Sequence, residues 1–274
     1  MLEADFKPGF LRTLLVLRPY LPEIVIGGGW VPLIYYHYLI NDKTMEPMLT
    51  KDIDLMVPAS VPVVGQKTID ALLIDAGLNT DFGGPGNPPA DYYEGQIDGQ
   101  DVEIQFLTHK VGPGANNAIA VQKGLNAQEL RYISVLLDNP MEIEIDDPLL
   151  LQGSPLTVRV PKPGAYIFNK SLVFPRRAGE LKKAKDLYHI FDILANCPQL
   201  RDQIVDQILA LKGQCPQRWF RDFKRNLRDQ FIEITSDGVD LVAGQRPSGA
   251  FPDLNDDQLK YFVLGTFQEF LDAF

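Results

Sequence analysis

Two aspartates one residue apart, Asp52 and Asp54, follow the glycine run Gly27-Gly28-Gly29 by about one helix and one loop. Period-two alternation along a strand places Asp52 and Asp54 on one face and Ile53 and Leu55 on the other. Two carboxylates on the same strand face, beside an open glycine turn, can share a divalent cation next to a phosphate. Glycine at the turn lets the backbone bend sharply and brings N–H groups close to a bound anion. The plainer alternative is an edge strand whose acidic face meets only solvent.

The flanking pattern supplies the elements such chemistry needs. The short apolar run Ile24-Val25-Ile26 reads as a buried strand ended by the glycines, and Val31 to Ile40 reads as a helix. Asn41 to Leu49 is polar, contains Pro47, and reads as a loop delivering the chain to the Asp52 strand. Upstream, Phe6 to Leu21 carries apolar residues at helical spacing until Pro22. Lys67 to Ala76 reads as a short helix closed by Gly77. Tyr92 to Ile97 and Gln100 to Leu107 read as a hairpin turning at Asp98-Gly99. Phe82 to Ala90 and Lys110 to Asn117 are Gly/Pro-rich loops, and Glu142 to Ile145 and Leu156 to Val160 are short strands.

Beyond Pro161 and Pro163 the pattern turns helical: Ala165 to Phe174, Ala178 to Asn196, Leu200 to Leu211, Pro216 to Ile234 and Asn255 to Phe274. The fold class expected is α+β, a mixed sheet with flanking helices over residues 1–160, followed by an α-helical domain over residues 161–274.

Composition narrows the function classes. The 274 residues are 45% hydrophobic and 23% charged, as in an ordinary globular protein. No apolar run approaches the roughly 20 residues that span a bilayer, and the N-terminus lacks a signal pattern, so a cytoplasmic location is the default. Two cysteines, Cys197 and Cys215, without a Cys-x-x-Cys spacing, argue against a disulfide scaffold or a zinc site. A net charge of −10 argues against nonspecific coating of nucleic acid. That charge is uneven, because residues 161–230 hold 14 Lys/Arg against 7 Asp/Glu. Such a run is either a solvated helical face or a surface facing phosphate or RNA.

Gly28-Gly29, an apolar helix and then Asp52-Ile53-Asp54-Leu55 together resemble the signature of the nucleotidyltransferase fold shared with DNA polymerase beta. The wording Gly-Gly-Trp-Val-Pro with Thr-x-Asp-x-Asp-Leu is similar to bacterial nucleotidyltransferase-like proteins related to the AbiEii abortive-infection toxins. Lys170, Arg176-Arg177 and Lys185-Asp186-Leu187-Tyr188 with Asp192 resemble that group's downstream pattern, so the likeness spans residues from about 24 to 194. The resemblance implies Asp52 and Asp54 as ligands of magnesium or manganese. It implies Gly28 and Gly29 at the triphosphate of a nucleoside triphosphate such as ATP, and a hydroxyl acceptor that is RNA, protein or a small molecule. It further implies Lys170 and Lys185 as ligands of the nucleotide or acceptor, with Lys51 as electrostatic support. A toxin role, with an antitoxin partner, follows from the AbiEii likeness alone.

The third carboxylate departs from the pattern. Asp101, Glu103 and Gln105 share one strand face, and relatives place an aspartate two residues before a Leu-Thr pair, where this chain has Gln105. An amide cannot neutralise metal charge as a carboxylate does. Glu103, about 6–7 Å along the strand, is therefore taken as third ligand or acceptor-activating base. Gln105 also motivates the alternative of a catalytically impaired nucleotide-binding or regulatory protein.

On the helix from Ala178, residues Lys182 and Asp186 are spaced to pair at the surface. His37, His109 and His189 are scattered and read as structural; Trp30 and the Tyr35-Tyr36-Tyr38 cluster serve either base stacking or the core. Residues 197–274 read as a helical cap or, alternatively, a partner-binding module.

Overall fold

The structure is a computed structural model that describes residues 6–48, 50–82, 91–110, 112, 114, 117–150 and 155–274. The chain forms two compact units, 1–161 and 162–274.

The first unit is built on one mixed sheet. Helix α1 (Lys7–Val16) and a 3-10 segment (Arg18–Glu23) precede β1 (Val25–Ile26), and α2 (Trp30–Ile34) continues as a π-helical segment (Tyr35–Leu39). Then come β2 (Asp52–Met56), α3 (Ile69–Asp75), β3 (Leu78–Phe82), β4 (Asp91–Ile97) and β5 (Gln100–His109). Strands β6 (Ala118–Gln122) and β7 (Leu125–Leu130), helix α4 (Ile133–Leu137), β8 (Pro140–Ile145) and β9 (Leu156–Pro161) complete it. The strand order is β3-β4-β5-β2-β1-β9-β8, and β7 with its hairpin partner β6 joins β5 beyond the end of β4. Strands β1 and β2 run antiparallel, whereas β2 and β5 are parallel.

The core explains why the aromatic cluster after the glycines exists. Trp30, Tyr35 and Tyr36 are fully buried, and Trp30 stacks on Phe10 of α1 with ring centroids 4.2 Å apart. These rings are core, so base stacking is not their use. Strand β2 alternates as expected, with Ile53 and Leu55 buried while Asp52 is exposed and Asp54 half-exposed.

Several local expectations are corrected. The first helix stops at Val16, because Pro19 and Pro22 favour a 3-10 turn in the segment that follows. The short helix starts at Ile69, with the Thr68 side chain accepting from the Ala71 N–H as its N-cap. Strand β3, the β6–β7 hairpin and α4 add to the elements that the sequence marks, since short polar-rich strands such as Leu-Asn-Ala-Gln-Glu-Leu carry little periodic signal. Residues 83–90 of the Gly/Pro-rich loop, and 111, 113, 115 and 116 of the second, lie outside the described residues.

The second unit is helical: α5 (Pro163–Val173), α6 (Glu180–Asn196), α7 (Arg201–Leu211), α8 (Gln217–Arg228), α9 (Asp237–Ala243) and α10 (Asp256–Leu271). Helix α8 ends at Arg228, earlier than Ile234, and α9 was not anticipated. A capping box at Asn255 and Gln258 fixes the start of α10. Phe168, Phe191, Phe223, Phe231, Phe267 and Phe270 supply much of the core, with Phe231 stacked on Phe267 at 3.6 Å. Cys197 and Cys215 are both thiols, not bridged. Among the described residues, no helix is long and apolar enough to cross a membrane.

Candidate functional site

Strand pairing assembles the site in the first unit. Strands β2 and β5 run parallel with Asp52 opposite Glu103 and Asp54 opposite Gln105. Directly opposed residues project to the same side of a sheet, so Asp52, Asp54, Glu103 and Gln105 share one face. Strand β4 extends it, with Glu94 opposite Glu103 and Tyr92 opposite Gln105. Register thus delivers Glu103 beside Asp52, a placement that the spacing within β5 alone could not reveal.

The glycine turn is locked to Asp54. Gly28 adopts φ +64°, in the left-handed region, and a Cβ there would fall on the Asp54 carboxylate. The turn is therefore glycine both for its backbone and for its space. The Gly27 N–H donates to the Asp54 backbone oxygen at 2.8 Å, fixing turn and strand together. Gly29 caps α2 and also has no room for a side chain, since a Cβ would lie 2.8 Å from the Thr50 side chain. The Trp30 indole N–H donates to the Asp52 carbonyl at 3.1 Å, so the buried ring anchors the strand from below. Gly27 and Gly29 are buried and Gly28 is half-exposed, which makes Gly28 the opening of the turn.

Charge gathers on this face. Burial, then the negative charge of Asp54, Glu103 and Asp52, pushes the Tyr92 phenol above its ordinary range. Lys51 Nζ stands 3.8 Å from a Glu103 carboxylate oxygen, with both side chains well exposed. Gln105 donates through its amide to the Tyr92 hydroxyl at 3.0 Å and to Gln128 of β7 at 2.8 Å. The position where a third aspartate was expected is thus occupied by an amide engaged with neutral partners. Tyr92, Glu94 and Gln128 were not read from sequence, because only the antiparallel β4–β5 and the parallel β5–β7 pairing bring them here.

The donor set is one of hard oxygen ligands, which suits magnesium or manganese rather than a thiophilic ion. Among the described residues, no three His, Cys, Asp or Glu side chains close on one point as a ready-made metal cage. Magnesium does not require one, since it commonly takes one or two carboxylates, waters and substrate phosphates. Asp52 and Asp54, with Glu103 alongside, fit that mode.

The remaining predicted residues lie in the second unit. Lys170 of α5 is buried and reaches the Asp186 carboxylate of α6 at 2.5 Å, while Arg177 Nε donates to the other oxygen at 2.7 Å. The Tyr166 ring lies 5.4 Å from Lys170 Nζ. Burial opposes ionisation of Asp186, but Lys170 and Arg177 outweigh it and hold the carboxyl below its ordinary value. The expected surface pair Lys182–Asp186 is not formed; Asp186 faces inward, where Lys170 and Arg177 neutralise it. Lys182 is exposed and Lys185 half-buried on the same helix.

A glycine turn clasped to an Asp-x-Asp strand, in a mixed sheet with flanking helices, makes the first unit an α+β fold of the nucleotidyltransferase-like kind. Residues 22–208 match the nucleotidyltransferase family, well over half of the chain, and the protein belongs to that family. The match runs from just before β1 through α5 and α6 into α7. Among curated proteins and solved structures, comparison finds no match.

Proposed function

We propose that the protein is a metal-dependent nucleotidyltransferase that passes a nucleotidyl group from a nucleoside triphosphate to a hydroxyl acceptor. The observation that carries this reading is the fit between Gly28 and Asp54, which sets an open glycine turn directly against a carboxylate with Asp52 and Glu103 on the same face. Asp52 and Asp54 would hold magnesium or manganese, with Glu103 as third ligand or as the base that takes the acceptor proton. Bound metal would neutralise phosphate charge and polarise the phosphoryl oxygens. Gly28 and Gly29 would receive the triphosphate through backbone N–H groups, and Lys51 would offset part of the carboxylate charge. Lys170 and Lys185 are retained as proposed nucleotide or acceptor ligands; for Lys170 this requires that Asp186 share or yield it.

The test is incubation with labelled nucleoside triphosphates, magnesium and cell extract. Label should move to a macromolecule or small acceptor with wild type and not with Asp52→Ala/Asp54→Ala. Equal transfer by both proteins would sink the reading. A second reading, a nucleotide-binding protein without turnover, is favoured by Gln105, whose amide stands opposite Asp54. It predicts magnesium-dependent nucleotide binding with no label transfer to any acceptor. The AbiEii-like toxin role is kept as a narrower form of the first reading, tested by growth arrest on expression that an Asp54→Asn substitution relieves.

A further inference from the structure

The second unit carries a feature that the glycine-turn site does not use. Helix α8 presents Arg221, Lys224, Arg225 and Arg228 at spacings of three and four, while Phe220, Phe223 and Leu227 turn inward and are buried. These spacings put the four cations on one side of the helix over about 10 Å of its length. Together with Lys212, at the end of α7, they line an open cavity of about 630 Å³. The half-exposed Phe274 ring gives it an apolar edge above the buried Phe220, whose ring centroid lies 5.7 Å from Lys212 Nζ.

The sequence around it is polarised. Residues 212–228 hold six Lys/Arg and one Asp/Glu, whereas residues 231–274 hold two Lys/Arg and eight Asp/Glu. Asp229 lines the same cavity, one carboxylate against the five cations Lys212, Arg221, Lys224, Arg225 and Arg228. Asp222 pairs with Arg225 at 2.7 Å in an exposed contact worth little, and Lys224 donates to the Phe274 backbone oxygen. Arg221, Arg225, Arg228 and Lys212 remain exposed to solvent. Exposed cations along a helix, rather than one enclosed anion pocket, suit a ligand with several phosphates in series. An aromatic ring open beside a basic groove, as Phe274 is here, can stack on a base of a single strand.

We infer that this α7–α8 cleft binds the phosphate backbone of single-stranded RNA. An acidic protein surface would meet the same charges but would leave the half-exposed Phe274 ring without a base to stack on.

The test measures binding of the full-length protein to a fluorescent oligoribonucleotide of about 16 nucleotides by anisotropy across a salt series. Wild type should bind with affinity that falls steeply as salt rises. Arg221→Glu/Arg228→Glu, at two exposed positions, should weaken binding at least about tenfold and flatten the log–log salt slope by roughly 1.4, about 0.7 for each lost phosphate contact. Arg221→Gln/Arg228→Gln should show the same slope change with a milder loss, and circular dichroism should match wild type for both. Asp54→Asn should bind RNA as wild type does, so a failure of the transferase reading would leave this binding intact. No RNA binding by wild type, an unchanged slope in both variants, or capture of an acidic polypeptide in preference to RNA would each overturn the inference.

Discussion

Asp54 and Asp186 are the same residue type in opposite situations. Asp54 lies half-open on a strand face against Gly28, with Asp52 and Glu103 brought alongside by register. Asp186 is buried, and Lys170 and Arg177 neutralise it through 2.5 and 2.7 Å contacts. The first gathers three carboxylates on one open strand face; the second joins one carboxylate to two cations and ties α5 to α6. Carboxylates gathered on an open face mark a candidate ligand site, whereas a carboxylate closed in by two cations ties helices together.

Removing one partner from the closed cluster should produce the largest effect. Asp186→Ala leaves Lys170 buried without its carboxylate and should cost about 3–5 kcal/mol of stability, read from urea unfolding. A loss under about 0.5 kcal/mol would show that the cluster is not structural. The same carboxylate carries a pH signature. Its folded pKa is depressed, so its contribution is present above the ordinary value of 3.8 and lost as pH falls through the folded value. Wild type should therefore lose stability in strong acid more steeply than Asp186→Asn.

At the open site the expectation reverses, with chemistry falling and stability holding. Asp54→Asn should reduce nucleotidyl transfer by on the order of 100-fold or more, equivalent to about 2.7 kcal/mol of lost transition-state stabilisation. Its unfolding midpoint should stay near that of wild type, because the Asp54 side chain is half-exposed and the substitution keeps its shape. Gly28→Ala joins the two effects: a methyl at φ +64° is strained and displaces the Asp54 carboxylate. Roughly 1–3 kcal/mol of destabilisation should accompany loss of transfer, and wild-type behaviour in both assays would refute the clasp. Lys51→Ala should do least, under about 1 kcal/mol in stability, because its 3.8 Å contact with Glu103 is exposed.

Much of this arrangement was legible in the sequence. The glycine run, the Asp-x-Asp alternation and the Asp98-Gly99 hairpin each signal locally, and the structure places β1, β2, β4 and β5 where those signals lie. What was not legible depends on pairing between distant segments. The register of β2 against β5 decides that Glu103 faces Asp52, and the β5–β7 contact decides that Gln105 meets Gln128. Neither is encoded in any one segment. Asp186 was misread for a similar reason, since helical spacing pointed to Lys182 while its actual partner, Lys170, is on another helix. The aromatic run after the glycines remained ambiguous until Trp30 was seen packed on Phe10 beneath the Asp52 strand.

The central claim is that the carboxylates beside Gly28 hold a nucleotide through a divalent cation. Calorimetric titration of ATP into wild type and Asp52→Asn/Asp54→Asn, each with and without magnesium, tests it most directly. Magnesium should tighten ATP binding to wild type by at least about tenfold, or 1.4 kcal/mol, and should do nothing for the variant. Equal magnesium dependence in the two proteins, or none in wild type, would contradict the account.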